Sequence, residues 1–370
     1  MTILLFVLIL SILIMVHEAG HFFAARRVGV KVEQFALGFG PKLFSWVSGG
    51  TEYCLCAIPL GGFVKMSGDE RSLCKGAVDE YFAKSHGHRA LIVLMGPVVN
   101  YALAYLCFVL VFMIGYIDLD ATQKNVPAIV GKVVAGSPAQ KAGLSSGDLI
   151  QSADGKVFAN WSEMQDYIST AGDKPVIVSF LREGRSMTVP MTPEFHKTKD
   201  MFGREHQVSR IGIQAPEPSS ADKLVVRKYG VIGSWGKAAQ ELWSVTSRTY
   251  GALWDMITGQ RSAKEGMTGL IGIFFIIKFA AAVGVSFLLH VVGVISASLA
   301  IFNLLPVIPL DGGHLALIAL EKLRGKALSL KVEDVIARTG FALIIVLAVF
   351  VFYLDFERIG LIDKVFKFFH

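Results

Sequence analysis

The chain has 370 residues, of which 53% are hydrophobic and only 18% charged, with a mean hydropathy of +0.54. The 36 Lys and Arg against 30 Asp and Glu leave a formal charge of +6. This is too apolar for an ordinary soluble protein and too charged in its middle to be membrane throughout. No basic stripe with interleaved aromatics appears, so the cationic surplus reads as orientation information for a membrane protein and not as a nucleic-acid surface.

The first apolar run, Ile3–Val16, contains only Ser11 as a polar residue and continues past a polar cluster to Ala25. That reaches the roughly 20 residues a helix needs to cross a bilayer. It lacks a basic leader and an Ala-x-Ala cleavage site, so it is expected to be retained and not removed as a signal. Inside it lies His17-Glu18-Ala19-Gly20-His21. Ionisable groups at membrane depth are costly and point to function. On a helix, His17 and His21 share a face and can hold one metal ion, while Glu18 lies about 100° round, within reach of a water molecule at that metal. A lone membrane histidine is more often a helix-helix hydrogen-bonding group, but a ligand-spaced pair with an acid between is harder to explain that way.

Three further spans are expected at about Ala90–Ile117, Leu288–Leu305 and Gly340–Leu354. Leu270–Val285 carries Lys278 and several glycines and reads as a re-entrant or interfacial segment. Four spans place both termini on one side. Arg26, Arg27, Lys31, Lys42, Lys65, Arg71, Lys75, Lys84 and Arg89 lie between the first two spans, and Lys322, Arg324, Lys326, Lys331 and Arg338 between the last two. The positive-inside rule then makes both loops cytoplasmic, with the metal cluster near the cytoplasmic face and the region 118–268 outside.

In the first loop, Gly38-Phe39-Gly40-Pro41 is a turn signal, Tyr53–Ile58 has strand composition, and Pro59–Met66 reads as a tight turn and second strand. Such a hairpin could offer an edge to an extended substrate or be an ordinary surface hairpin. Cys54, Cys56, Cys74 and Cys107 all fall outside the exported region, so disulfides are not expected. Gly96-Pro97-Val98-Val99-Asn100 opens the second span, with Asn100 expected to pack behind the site.

The exported region holds one module, Pro127–Pro193, with strands at Ile129–Val134, Val176–Arg182 and Ser186–Val189, a helix Trp161–Thr170 and turns at Asp154-Gly155 and Glu183-Gly184. Its run Ser137-Pro138-Ala139…Ala142-Gly143-Leu144…Gly147-Asp148…Ile150 resembles bacterial PDZ domains. Such domains bind peptide ends or strands by strand addition, expected here between the Ile129–Val134 edge and the Trp161 helix. Beyond a polar linker, Val231–Ile257 with Trp235, Trp243 and Trp254 reads as an interfacial amphipathic helix. The third span ends in Asn303-Leu304-Leu305-Pro306-Val307-Ile308-Pro309-Leu310-Asp311-Gly312-Gly313-His314, where the helix breaks at membrane depth. Asp311 could complete a His, His, Asp zinc site with a fourth position for water, or cap the helix that follows.

The pairing of His17-Glu18-x-x-His21 with Asn303-x-x-Pro306-x-x-x-Leu310-Asp311-Gly312-Gly313 resembles the site-2 protease family of intramembrane zinc metalloproteases. The glycine turn, the hairpin, Gly96–Asn100 and the PDZ insert are similar to its bacterial regulator-of-sigma-E-protease branch. Proline stands at 309 where the family more often has it one residue earlier, and Leu270 stands where the family has proline. A single PDZ module replaces the pair of better-known members. The resemblance implies a polytopic α-helical membrane protein with about four transmembrane helices, a cytoplasmic membrane-associated β-hairpin and an inserted α+β PDZ domain. Its organisation would be a core half at 1–117, the PDZ domain at 127–193, a linker and interfacial segment at 194–268 and a second core half at 269–370. It further implies zinc bound by His17, His21 and Asp311, with Glu18 as base. Asn303 would hold substrate or its oxyanion, and the hairpin at Gly62 and Phe63 would clamp it. Substrates would be single-pass proteins of the bacterial inner membrane, cut within the lipid bilayer after prior trimming. A rival from another class is a membrane-anchored PDZ adaptor with a non-catalytic metal site.

Overall fold

The computed structural model describes residues 2–72, 74–118, 126–199, 205–216, 226–260 and 268–359. It opens with α1 (Thr2–Arg27), β1 (Val32–Ser48), β2 (Thr51–Met66) and α2 (His86–Ile114). An inserted stretch follows: β3 (Tyr116–Ile117), β4 (Lys132–Val133), α3 (Pro138–Lys141), β5 (Leu149–Ala153), β6 (Lys156–Val157), α4 (Trp161–Thr170), β7 (Val176–Arg182), β8 (Arg185–Met191), β9 (Glu194–Lys199), β10 (Glu205–Arg210), β11 (Ile213–Gln214) and β12 (Val226–Arg227). The chain closes with α5 (Val231–Ile257), α6 (Leu270–Val283), α7 (Val285–Asn303), α8 (Asp311–Arg324) and α9 (Leu330–Arg358). One compact unit is built on Met1–Ile114 and Tyr229–Asp355, a second on Gly115–Lys228.

In the first unit, α1, α2, α7 and α9 are long and apolar enough to cross a membrane. Helix α1 runs through an apolar segment interrupted before His17 only by Ser11 and ends with Arg26 and Arg27, cations that suit the negative end of the helix dipole. Helix α6 has 14 residues, which gives it a length of about 21 Å, too short for a hydrocarbon core of about 30 Å. Gly284 at φ +138 separates it from α7. Ile277 and Ala280 of α6 pack with Ile9 and Leu13 of α1 and Val291 of α7 in one buried cluster. Leu270 is the first residue of α6 after its N-cap Gly269. The neighbouring N–H groups of Gly269 and Ile271 are taken by the Asp355 carboxylate at 3.1 and 2.9 Å. Proline suits such a position because its missing N–H is not needed there, so leucine breaks no required bond.

The hairpin is larger than its sequence reading. Residues 52–55 run parallel to 34–37 on one side and residues 62–65 antiparallel to them on the other, so β2 turns back between Cys56 and Gly62, in line with the turn and second strand read at Pro59–Met66; its partner β1 contains the whole Gly38–Pro41 stretch. The reversal between β1 and β2 lies at Gly49 and Gly50, both at positive φ. Positive φ at Gly38 and Gly40 bends β1 so that its two halves pair separately: Phe35 with Val64 and Tyr53, and Trp46 also with Tyr53. The segment 62–66 pairs only on its 32–37 side among the described residues. Phe22, Val30 and Val32 with Phe35 and Tyr53 anchor the hairpin base to the end of α1. Ser11 Oγ donates to the Pro59 carbonyl at 2.5 Å, so β2 runs alongside α1 well past His17 toward the membrane interior. The far half of β1 exposes Leu43, Phe44, Trp46 and Val47. Apolar exposure of that kind suits lipid.

Helix α5 buries Ser234, Ala238 and Val245 and leaves Trp235, Trp243 and Trp254 exposed, the division expected of an interfacial helix. Tyr101 and Tyr105 of α2 hydrogen-bond to its Thr246 hydroxyl and Trp235 carbonyl.

In the second unit, β6-β5-β7-β8 form an antiparallel sheet. The turns Asp154-Gly155 and Glu183-Gly184 have positive φ at both residues, which matches the twist of tight hairpins. Ser137 caps α3, with Pro138 in its first turn, and Ala139 and Leu144 enter the core, which accounts for the Ser-Pro-Ala…Gly-Leu run. Asp148 is 1% exposed and is gripped by Arg182 through two bonds of 2.7 Å. The core extends beyond residue 193 to take in Ile211. A groove of about 290 Å³ lies between Trp161, Met164 and Ile168 of α4 and the strand 209–215. Lys132–Val133 pairs with the far side of that strand, so the groove edge is 209–215 and not Ile129–Val134.

A charged cluster joins the hairpin's return segment to α2, α8 and α9. Glu321, 2% exposed, receives Arg89 at 2.9 Å and also pairs with Arg71, which reaches Glu333 at 2.8 Å. Burial alone would raise the Glu321 carboxyl, but hydrogen bonds from Arg71, Arg89 and the Leu328 N–H hold it below its ordinary value of 4.5. Its stabilisation is therefore fully present above that value and lost as pH falls through the lower folded one. Glu321→Ala should cost about 3–5 kcal/mol by leaving buried guanidinium charge uncompensated. Denaturant unfolding in detergent near neutral pH checks this, and the gap to wild type should shrink in acid.

Candidate metal centre

His17 and His21 are four residues apart on α1, and both are buried. Helix α2 runs against them in the opposite sense, presenting Ile92, Gly96 and Asn100 from one face. The His21 Nδ1 lies 2.9 Å from the Ile92 carbonyl and the His17 Nδ1 lies 3.3 Å from the Asn100 amide. A side chain at Gly96 would collide with both imidazole rings. Glycine is required there because α2 must pass this close.

Asp311 reaches the same point from α8. After α7 ends, residues 304–310 fold back so tightly that a Cβ at Gly312 would strike the Leu304 and Leu305 backbone, and one at Gly313 the Val307–Ile308 backbone. The two glycines thus let the chain turn at membrane depth and aim the preceding carboxylate at the histidines. His17 Nε2 stands 3.1 Å from Asp311 Oδ2, His21 Nε2 stands 3.5 Å from Oδ1, and the two Nε2 atoms are 3.2 Å apart.

This donor set fits a zinc ion. Ligand atoms about 2.0–2.2 Å from a tetrahedral zinc lie roughly 3.3 Å from one another. A carbonyl can only accept, so the proton of a neutral His21 is on Nδ1 and its Nε2 offers a lone pair. That lone pair faces a carboxylate whose buried Oδ2 has no hydrogen-bond donor. Acceptors at this separation repel unless a cation lies among them.

Glu18 lines the same cavity of about 490 Å³ but stands outside the three-residue cluster. The wall includes Phe63, Val64, Asn303 and His314. Gly62 packs where an added Cβ would lie 3.6 Å from the Glu18 side chain. All seven residues singled out from sequence therefore converge here: His17, Glu18, His21 and Asp311 with Asn303, Gly62 and Phe63. Val64, Met66, Tyr81 and Arg89 also line the cavity; their sequence surroundings carry no metal-ligand or acid-base pattern.

The model of peptidase family M50 matches residues 5–347. The chain belongs to peptidase family M50. Relatives match it over nearly its whole length. A protein of Rhizobium meliloti named as a zinc metalloprotease is 34% identical, with 96% of each chain covered. The metalloprotease MmpA of Caulobacter vibrioides is 30% identical over 95% of this chain and 94% of its own. The regulator of sigma-E protease RseP of Salmonella typhimurium is 28% identical over 96% of this chain and 98% of its own. Among solved structures, the PDZ domain of an SdrC-like protein from Listeria monocytogenes is 24% identical, covering 24% of this chain and 87% of that one at a TM-score of 0.20. This M50 protein is a metalloprotease with membrane-spanning helices.

Asp311→Ala removes one of three acceptors. Purified wild-type protein should carry about one zinc per chain, and the variant should bind it more than about 100-fold more weakly by chelator competition.

Proposed function

We propose that this M50 protein is an intramembrane zinc endopeptidase that cuts single-pass proteins within their transmembrane segments, with His17, His21 and Asp311 as ligands and Glu18 as base. The observation that carries the reading is the acceptor cluster whose two buried histidines lie on a helix of membrane-spanning length, with a carboxylate outside that cluster in the same cavity.

Zinc bound there supplies Lewis acidity, which lowers the pKa of water and polarises a peptide carbonyl. Glu18 takes the proton released as water attacks and returns it to the leaving amine. The Asn303 amide lines the cavity and can donate to the carbonyl oxygen as it gains charge. A transmembrane helix hides its amides in its own hydrogen bonds, so the substrate must unwind locally before attack. The edge at 62–66 runs along the cavity wall through Phe63 and Val64 and can pair with the unwound strand. A PDZ adaptor with an idle metal site would have no use for Glu18.

We place the protein in the bacterial inner membrane with the metal near the cytoplasmic face and the PDZ-type module and both termini on the other side, from the Lys and Arg count of the connecting loops. The module would then admit substrates whose outer portion has been trimmed and take a peptide end or strand in the groove beside α4.

Glu18→Gln should keep zinc and fold but lose cleavage of a model transmembrane substrate by several orders of magnitude, since it removes a base and not a ligand. Cleavage near the wild-type rate would contradict the assignment. In the same assay the wild type should favour a substrate lacking its outer domain over the intact form.

A further inference from the structure

The second imidazole of the pair has a supporting group whose orientation decides whether the ligand set works. Asn100 is 0% exposed and lies on α2 eight residues after Ile92, so one helix face meets His21 and His17 in turn. The Ser296 hydroxyl donates to the Asn100 backbone carbonyl at 2.9 Å and ties that turn of α2 to α7. The amide nitrogen sits 3.3 Å from His17 Nδ1, and the amide oxygen is buried without a partner. The oxygen and nitrogen of an amide differ by assignment and not by shape, and either can face the ring.

The two orientations have opposite consequences. With the NH2 facing the ring, Nδ1 accepts, so the proton of a neutral His17 moves to Nε2. It would then block the atom that lies 3.2 Å from His21 Nε2 and 3.1 Å from Asp311. With the oxygen facing the ring, Nδ1–H donates and Nε2 is free. His21 already has that arrangement through the Ile92 carbonyl, and metal-bound histidines generally give their other N–H to an oxygen.

We propose that Asn100 is a positioning residue of the metal centre: its side-chain oxygen accepts the His17 Nδ1–H and fixes the tautomer that presents Nε2 to the ion. The inference rests on the zinc reading above. Ile92, Gly96 and Asn100 then form one device on α2: an oxygen for each imidazole at its two ends, with space for both rings between.

Zinc affinity of the full-length protein in detergent tests the proposal through Asn100→Ala and Asn100→Asp. Alanine removes the acceptor and should weaken zinc roughly 10–100-fold. Aspartate can accept from Nδ1–H but cannot donate to Nδ1, so it should bind zinc close to wild type. Aspartate losing as much as alanine, or alanine binding as tightly as wild type, would overturn the role. Should a variant fail to fold, NMR of isotope-labelled histidine in the wild-type protein loaded with cadmium gives the answer directly. The expected result is a proton on Nδ1 and metal on Nε2 for both residues; a proton on His17 Nε2 would refute it. Wild-type protein that binds no zinc would sink the metal reading as well, whereas equal affinities in three folded proteins would sink this inference alone.

Discussion

Lone pairs of His17, His21 and Asp311 meet within 3.5 Å inside a bundle of apolar helices, and that repulsion is the condition the surrounding structure is arranged to sustain. Water would relieve it in a soluble protein, but here the medium offers few alternatives and a cation is the economical one. Much of the membrane unit can be traced to holding these acceptors still. Gly96 lets α2 lie against the imidazoles, and Gly312 and Gly313 let the chain fold back on itself after α7. The Glu321 cluster ties α8, which carries Asp311, to α2, which carries Ile92 and Asn100.

The proposed cleavage within transmembrane segments sets a second constraint. A peptide bond inside a helix is shielded by its hydrogen bonds, so a protease at membrane depth must offer a replacement partner for the unwound backbone. The hairpin suits both the lipid and such a strand. Its far half is apolar enough to lie against lipid, and its 62–66 edge borders the cavity that holds Glu18. Gly62 allows that edge to lie close against the Ala36 carbonyl, beside the Glu18 side chain.

The spans and the paired chemical motifs were legible in the sequence because hydropathy, four-residue spacing and helix-breaking glycines act locally. Ile3–Ala25 became α1 nearly residue for residue, and the helix Trp161–Thr170 was read at its true bounds. What was missed depends on pairing at a distance. Phe35 meets both Val64 and Tyr53 because β1 bends at Gly38 and Gly40 and β2 turns back between Cys56 and Gly62, and strand composition alone says nothing about two partners. The groove strand at 209–215 lies beyond a polar stretch and has no sequence mark tying it to α4. Arg71 and Glu321 are separated by 250 residues, so their pairing could not be read from either segment. Asn100 was visible as a membrane amide needing a partner, but its partner was fixed only by the helix crossing.

X-ray absorption spectroscopy at the zinc edge of the purified wild-type protein tests the central claim most directly. The account predicts a shell of light donors at about 2.0–2.2 Å with the multiple scattering of two imidazoles. It also predicts no sulfur, since Cys54, Cys56, Cys74 and Cys107 all lie outside the cluster of His17, His21 and Asp311. Sulfur at about 2.3 Å, or a single imidazole, would contradict it.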